Sequence, residues 1–215
     1  MYSGKTVGVI IAAAGSGTRM EQAAGLPKQF MLIDGVPMVR KTAEVFARNA
    51  YVDDICIAVN GAYAKEYEEA LSGLPKIRCT AVGGKERQNS VGEALRRLAE
   101  VSKFDYVMIH DAARPYVTNA VIEESLAAAL RHGAAVAAVP VKDTIRQGGI
   151  TLERDNLFCI QTPQTFERRI IIEAYERACS DGYIGTDDGS LVERLGRPVA
   201  ISQGDYANIK ITTKE

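Results

Sequence analysis

Val7-Gly8-Val9-Ile10-Ile11-Ala12-Ala13-Ala14-Gly15-Ser16-Gly17-Thr18-Arg19-Met20, followed shortly by Leu26-Pro27-Lys28-Gln29-Phe30, is the stretch whose reading decides the fold. An apolar run of this length ending in glycines reads as a buried strand that breaks into a tight turn. In an α/β protein the crevice beyond the carboxyl end of such a strand is where ligands bind. Gly15 and Gly17 let the backbone turn closely enough to aim N–H groups at an anion, and the small residues 12–16 leave room for a flat group above the strand end. A dinucleotide fingerprint would want a third glycine at position 20, where the chain has Met20, and the Gly-Lys-Ser/Thr of a Walker loop is absent. Arg19 and Lys28 flank a second breaker, Pro27, and two cations so placed suggest a cradle for a polyphosphate.

Outward from this stretch the chain alternates strand and helix signals. Val39, Ala43 and Phe46 mark a helix face, and 55–59 reads as a second strand. A helix through Tyr63, Tyr67 and Leu71, closed by Pro75, precedes a third strand at 77–82, which ends at Gly83-Gly84. Helical spacing returns in Val91, Ala94, Leu95 and Leu98, with a fourth strand at 106–109. Asn119 is the expected cap of a helix bearing Ile122, Leu126 and Ala129, and 134–139 is a fifth strand. A helix through Ile171, Ile172 and Tyr175 and a short one around Leu191, capped by Asp187 or Asp188, lead to closing strands at 199–202 and 207–212. The rhythm predicts a mostly parallel sheet covered on both faces. It fails only at 141–155, where Thr144-Ile145-Arg146 and Ile150-Thr151-Leu152 flank Gln147-Gly148-Gly149. That segment reads as a β-hairpin with little to bury, either a surface flap or an arm that packs on a second subunit.

At 215 residues and 47% hydrophobic content the chain can bury one substantial core and gives no case for disorder. Its 26 basic and 27 acidic side chains leave a formal net charge of -1, so no global field draws it to nucleic acid or an anionic membrane, and an anion must be met by a local cluster. No apolar run approaches a membrane span and the start lacks the pattern of an export signal, which predicts a cytoplasmic address. Cys56, Cys79, Cys159 and Cys179 have no metal-ligand spacing and are expected as buried free thiols.

Further clusters fall where strands or turns end. Gly83-Gly84-Lys85-Glu86-Arg87-Gln88-Asn89-Ser90 enters a helix and suits a base edge or an anion, with ordinary capping as the other reading of Ser90. In His110-Asp111-Ala112-Ala113-Arg114-Pro115 a carboxylate can coordinate Mg2+ or hold ribose hydroxyls and Arg114 can grip a phosphate, while His110 reads as a structural hydrogen-bonding residue. Thr162-Pro163-Gln164-Thr165-Phe166 reads as a rigid polar loop, and Asn208-Ile209-Lys210 places a lysine within the last strand. Arg19, Lys28, Asp111, Arg114 and Lys210 thus stand on separate elements, a pattern suited to chemistry in which charge on transferring phosphoryl oxygens is met by fixed cations. Nucleotidyl transfer is its sharpest version, and a nucleotide-binding regulatory module without turnover is the alternative of another class.

These motifs, together with Val139-Pro140-Val141-Lys142-Asp143-Thr144 and Thr186-Asp187-Asp188, resemble the 2-C-methyl-D-erythritol 4-phosphate cytidylyltransferase family over essentially the whole chain. The resemblance implies a single Rossmann-like nucleotidyltransferase domain over 1–215, with 141–155 as a dimerisation arm, and an additional helix beyond the position of Glu215. It implies CTP and a polyol phosphate as substrates, Mg2+ or another divalent cation as cofactor, and a homodimer that engages neither nucleic acid nor membrane. Carried over by motif, Arg19, Lys28 and Lys210 are the catalytic cations. Ala13, Ala14, Gly15, Gly17, Gly83, Ser90 and Asp111 contact the nucleotide, with Asp111 also the candidate metal ligand. Arg114, Thr144, Arg154 and Thr162 contact methylerythritol phosphate, some from the second subunit. Ribitol 5-phosphate and related pentitol-phosphate enzymes resemble the same CTP half and are the alternative.

Overall fold

The computed structural model describes residues 2–15 and 26–212. Gly17 and Arg19 lie outside the described residues. In chain order the elements are β1 (Val7–Ala12), a 3-10 turn (Lys28–Phe30), β2 (Leu32–Ile33), β3 (Val36–Pro37), α1 (Met38–Arg48), β4 (Asp54–Val59), α2 (Ala64–Leu71), β5 (Ile77–Val82), α3 (Arg87–Val101), β6 (Tyr106–Asp111), α4 (Asn119–His132), β7 (Ala134–Pro140), β8 (Arg146–Gln147), β9 (Ile150–Thr151), β10 (Phe158–Glu167), α5 (Arg168–Ser180), α6 (Asp188–Arg194) and β11 (Ala200–Gln203). Among the described residues seven strands form one sheet in the order β11-β7-β10-β6-β1-β4-β5. All its pairings are parallel except those of β10, which runs antiparallel to both β6 and β7.

β1 shows why so continuous an apolar run is needed. It is buried on both faces, and the two-residue period of a strand sends Val7, Val9 and Ile11 to one core and Ile10 to the other. The first core is covered by α1, α2 and α4 through residues such as Phe46, Tyr67 and Leu126, and the second by α3, α5 and α6 through Leu98, Ile171 and Val192. Gly8 sits where a Cβ would come within 2.9 Å of Leu98 Cδ2, so its absence of a side chain lets α3 lie close to the sheet. β4 and β6 flank β1 on opposite sides, which makes its carboxyl end the point where strand order reverses.

Several expectations are corrected. Residues 162–166 are not a loop but the inner part of β10, interrupted by a cis Thr162-Pro163 bond and a register shift between Ile160 and Gln164. Their polar side chains are buried and hydrogen-bonded, which is why polarity misread the segment. Residues 207–212 form no strand. They follow β11 as turn and irregular chain, tied down by Ile211 N donating to Ala113 O at 2.8 Å. Thr118, not Asn119, caps α4, because its hydroxyl accepts from Val121 N while Asn119 Oδ1 accepts from Asn49. Asp187 caps α6 in a reciprocal box with Ser190. All four cysteines are free, but only Cys56 is fully buried and Cys159 and Cys179 are exposed. The hairpin is present as β8 and β9, paired two residues to two around Gly148 and Gly149.

Candidate active site

The carboxyl ends of β1, β4, β5 and β6 are knitted together by backbone hydrogen bonds: Ala13 N to Ala58 O, Gly83 N to Val59 O and Ala112 N to Ala12 O. Above them opens a cleft of about 330 Å³ whose wall includes Ala13, Ala14, Gly15, Lys28, Gly83, Ser90, Asp111 and Lys210. Every one of these was a sequence-predicted site residue, drawn together from five separate stretches of the chain.

One wall is built of small residues in contact with one another. A Cβ on Gly83 would lie 2.2 Å from Ala14 Cβ and 2.7 Å from Ser90 Oγ, so glycine is required for the β5 turn to approach the end of β1 this closely. Ser90 is turned inward, its hydroxyl donating to Glu86 O at 3.0 Å, while Glu86 and Asn89 form the box that caps α3. The capping reading of Ser90 is thereby replaced, since the cap belongs to its neighbours.

The opposite wall is charged. Asp111 at the end of β6 accepts from Lys210 Nζ at 2.6 Å on one oxygen and from Arg87 Nε at 2.8 Å on the other. Burial alone would raise the Asp111 carboxyl, but Arg87 and Lys210 overcome it and hold it well below the usual carboxylate range. Arg87 also donates to Asp188 Oδ2 at 2.9 Å, and Asp188 in turn accepts from the Tyr175 hydroxyl. Burial would lower the Arg87 guanidinium, yet Asp188 and Asp111 keep it well above its ordinary value. The chain Tyr175, Asp188, Arg87, Asp111, Lys210 is therefore one charge-paired network with its exposed end in the cleft. The sequence offered Asp188 only as a helix cap and Arg87 only as part of a polar turn, because nothing local shows that residues so far apart in the chain form a pair.

Lys210 is held in place from behind. Arg114 Nη1 donates to Asn208 O at 2.7 Å, and Asn208 Nδ2 donates to Thr162 O at 2.9 Å. Asp111 N donates to Thr162 Oγ1, which leaves the threonine hydrogen for His110 Nδ1 at 3.0 Å and the His110 Nε2 hydrogen for Arg114 O at 3.2 Å. The pattern sets the tautomer. His110 is fully buried, and burial pushes it down to about 4, so it is a neutral structural group. Arg114 and Thr162, expected at the acceptor substrate, are not among the residues that line this cleft, and burial lowers the half-buried Arg114 guanidinium. Lys28 Nζ donates to Ile211 O at 3.3 Å, which brings the first and last segments of the site into contact. Thr144 and Arg154 are exposed on the hairpin and do not line this chain's cleft; Arg154 Nη1 donates to Lys142 O at 2.6 Å.

The described residues hold no group of three or more potential metal ligands. A hard divalent cation that keeps several waters and takes one carboxylate plus phosphate oxygens would still fit, with Asp111 as that carboxylate once Lys210 moves from it. Among the described residues no helix is long and apolar enough to cross a membrane.

A reversal of strand order in a mostly parallel sheet, with a cleft there lined by small residues and by Lys28 and Lys210, is the arrangement of an α/β enzyme of the nucleotidyltransferase class. Residues 7–215 match the profile of the 2-C-methyl-D-erythritol 4-phosphate cytidylyltransferase family, and the chain belongs to that family. A protein of that name from Geotalea uraniireducens is 44% identical over 217 residues, covering 97% of this chain and 92% of the relative. Another from Geobacillus kaustophilus is 44% identical over 213 residues, covering 96% and 91%. The crystal structure of 4-diphosphocytidyl-2C-methyl-D-erythritol synthase from Anaerococcus prevotii superposes with a TM-score of 0.86 at 28% identity, covering 99% of this chain and 94% of that one. The 2-C-methyl-D-erythritol 4-phosphate cytidylyltransferase of Thermus thermophilus gives 0.79 at 32% identity, covering 96% and 93%.

Proposed function

We propose that this chain transfers the cytidylyl group of CTP to 2-C-methyl-D-erythritol 4-phosphate, releasing pyrophosphate and forming 4-diphosphocytidyl-2-C-methyl-D-erythritol. The observation that carries the reading is one cleft whose lining joins the small residues Ala13, Ala14, Gly15 and Gly83 to Lys28, Asp111 and Lys210. A base seated against the Ala13–Gly15 wall directs its ribose to Asp111 and its triphosphate to the two lysines. The acceptor phosphate is already an anion, so its oxygen attacks the α-phosphorus without a general base. A new phosphorus–oxygen bond forms, the bond to the bridging oxygen breaks, and pyrophosphate carries away the electron pair. The lysines oppose the negative charge that grows on the α-phosphoryl oxygens, and preorganised cations of this kind act mainly in the transition state. A Mg2+ or other divalent cation, when bound through Asp111 and phosphate oxygens, supplies further charge neutralisation of the leaving group.

The protein acts as a homodimer in this reading, with the 141–155 arm crossing to its partner so that Thr144 and Arg154 reach the acceptor phosphate of the neighbouring site. The support is physical. A hairpin of two residues a strand is not stable alone, and Ile150 on it is 71% exposed, apolar surface that a second chain would cover. A cytoplasmic location belongs to the same reading and is supported by four unpaired cysteines. The direct test supplies CTP and Mg2+ with either methylerythritol phosphate or ribitol 5-phosphate and follows pyrophosphate and the cytidylylated product. Turnover with methylerythritol phosphate at least tenfold above that with ribitol 5-phosphate is expected. The reverse preference would assign the pentitol reaction, and nucleotide binding without either product would assign a regulatory module.

A further inference from the structure

Against the Ala13–Gly15 backbone lie two polar side chains that the reaction itself does not use. Gln29 is 3% exposed and Tyr67 is 1% exposed. Gln29 Nε2 donates to Ala13 O at 2.6 Å and Gly15 O at 2.7 Å, and it stands 2.9 Å from Tyr67 Oη. Tyr67 Oη donates to Ala13 O at 2.6 Å. Two carbonyl oxygens beside the same amide atom identify it as nitrogen, so the orientation of Gln29 follows from its neighbours. Burial pushes the Tyr67 phenol up to about 12, which keeps its proton on the oxygen throughout the neutral range.

The consequence is for the far side of one peptide unit. Among the described residues the peptides are trans apart from Thr162-Pro163, and in a planar trans peptide the C=O and the following N–H point in opposite directions. Holding Ala13 O down onto Tyr67 and Gln29 therefore turns the Ala14 N–H the other way. Ala14 lines the cleft, and its N–H takes part in no backbone hydrogen bond among the described residues. A flip of this peptide would replace that donor with an acceptor, the carbonyl of Ala13. Cytosine and uracil differ in this same respect at ring position N3, where cytosine accepts a hydrogen bond and uracil donates one.

We propose that Gln29 and Tyr67 are specificity-positioning residues, which lock the Ala13–Ala14 peptide with its donor facing the base and so select cytosine over uracil. The assignment rests on the CTP-dependent reading above and adds the device that makes the base pocket selective. Neither residue touches the reacting atoms. Each acts through the backbone, and a site with a fixed donor rejects a partner that presents another donor because one of the two is left unpaired.

The test compares Tyr67→Phe, which keeps the ring and removes one donor, with Gln29→Met, which keeps approximate length and removes the amide. Steady-state constants for CTP and UTP are measured with saturating acceptor, alongside thermal midpoints. The expected result is a CTP:UTP ratio of kcat/KM at least tenfold lower in Gln29→Met and severalfold lower in Tyr67→Phe. KM for CTP should rise by a larger factor than kcat falls. If Gln29→Met does not fold, Tyr67→Phe decides alone. Variants with a lowered thermal midpoint but a ratio within twofold of the wild type would show the pair to be structural only and overturn the assignment. A wild-type protein that turns over neither nucleotide would instead overturn the function proposed above, and this assignment with it.

Discussion

Asp111 is the residue on which the charged wall turns, because its two oxygens are shared between a cation that stays and one that can leave. Arg87 is anchored on its other side by Asp188, whereas Lys210 is 40% exposed and faces the cleft. Truncation of Lys210 or Lys28 to Ala should lower kcat by roughly two orders of magnitude with smaller effects on KM, since each cation meets charge that develops during transfer. Steady-state kinetics on folded variants check this, and an unchanged kcat would remove that lysine from the mechanism. Asp188→Ala should be different in kind. It removes one of the two carboxylates that the partly exposed Arg87 donates to and leaves the Tyr175 hydroxyl without its acceptor, which should cost about 1–3 kcal/mol in stability, read from urea unfolding. His110 supplies the pH dependence. Its folded-state pKa of about 4 lies below its ordinary 6.5, so the stabilisation is present above pH 6.5 and is lost as pH falls through 4. The loss amounts to roughly 3 kcal/mol, and urea titrations between pH 7 and pH 4 should show a shallower slope in His110→Gln.

At the scale of elements the turn after β5 and the bent strand β10 position the site. Gly83→Ala would place a methyl 2.2 Å from Ala14 Cβ, so the two segments must move apart. A loss of about 1–3 kcal/mol in urea unfolding is expected, together with a rise of at least tenfold in KM for CTP from kinetics. β10 has a task that its polarity conceals. Gln164, 1% exposed, accepts from Asp188 N at 3.1 Å and Gly189 N at 3.0 Å and donates to Asp187 Oδ2 at 2.8 Å, so it ties α6 to the centre of the sheet and fixes Asp188 behind Arg87. These are two of the first N–H groups of a helix, which have no partner within it. Unpaired buried donors cost about 1–3 kcal/mol each, and Gln164→Ala should lower stability accordingly in urea unfolding.

For the whole molecule the question is how many chains make one site. Lys28 lines this chain's cleft while Arg154 is exposed on the hairpin outside it, so the proposed dimer would build each site from two chains. Lys28→Ala and Arg154→Ala should each be nearly inactive as homodimers. Mixed under conditions of subunit exchange, they should recover toward half the wild-type activity per heterodimer, because one site then collects both lesions and the other neither. Exchange without recovery would place both residues in the same chain's site, and an active monomer by sedimentation would discard the arm's proposed role.

Much of this was legible along the chain wherever one strong local constraint dominated. The run 7–12 had to be a buried strand and Gly83-Gly84 had to be a turn, since periodicity and glycine placement act over a few residues. β10 escaped because its segment carries Gln, Thr and Pro, and only buried partners from distant elements make such a strand stable. The last segment escaped for the converse reason: its apolar alternation resembled a strand, but β11 already occupies the sheet edge beside β7, and 207–212 is instead drawn under the cleft by Ala113 and Arg114. The sequence alone determined the strand rhythm and the residues that line the cleft where strand order reverses. Only the tertiary structure decided that Arg87 pairs with Asp111 and Asp188, and that Gln29 and Tyr67 hold the Ala13 carbonyl, because hydrogen bonds between residues tens of positions apart leave no periodic trace in either partner's neighbourhood.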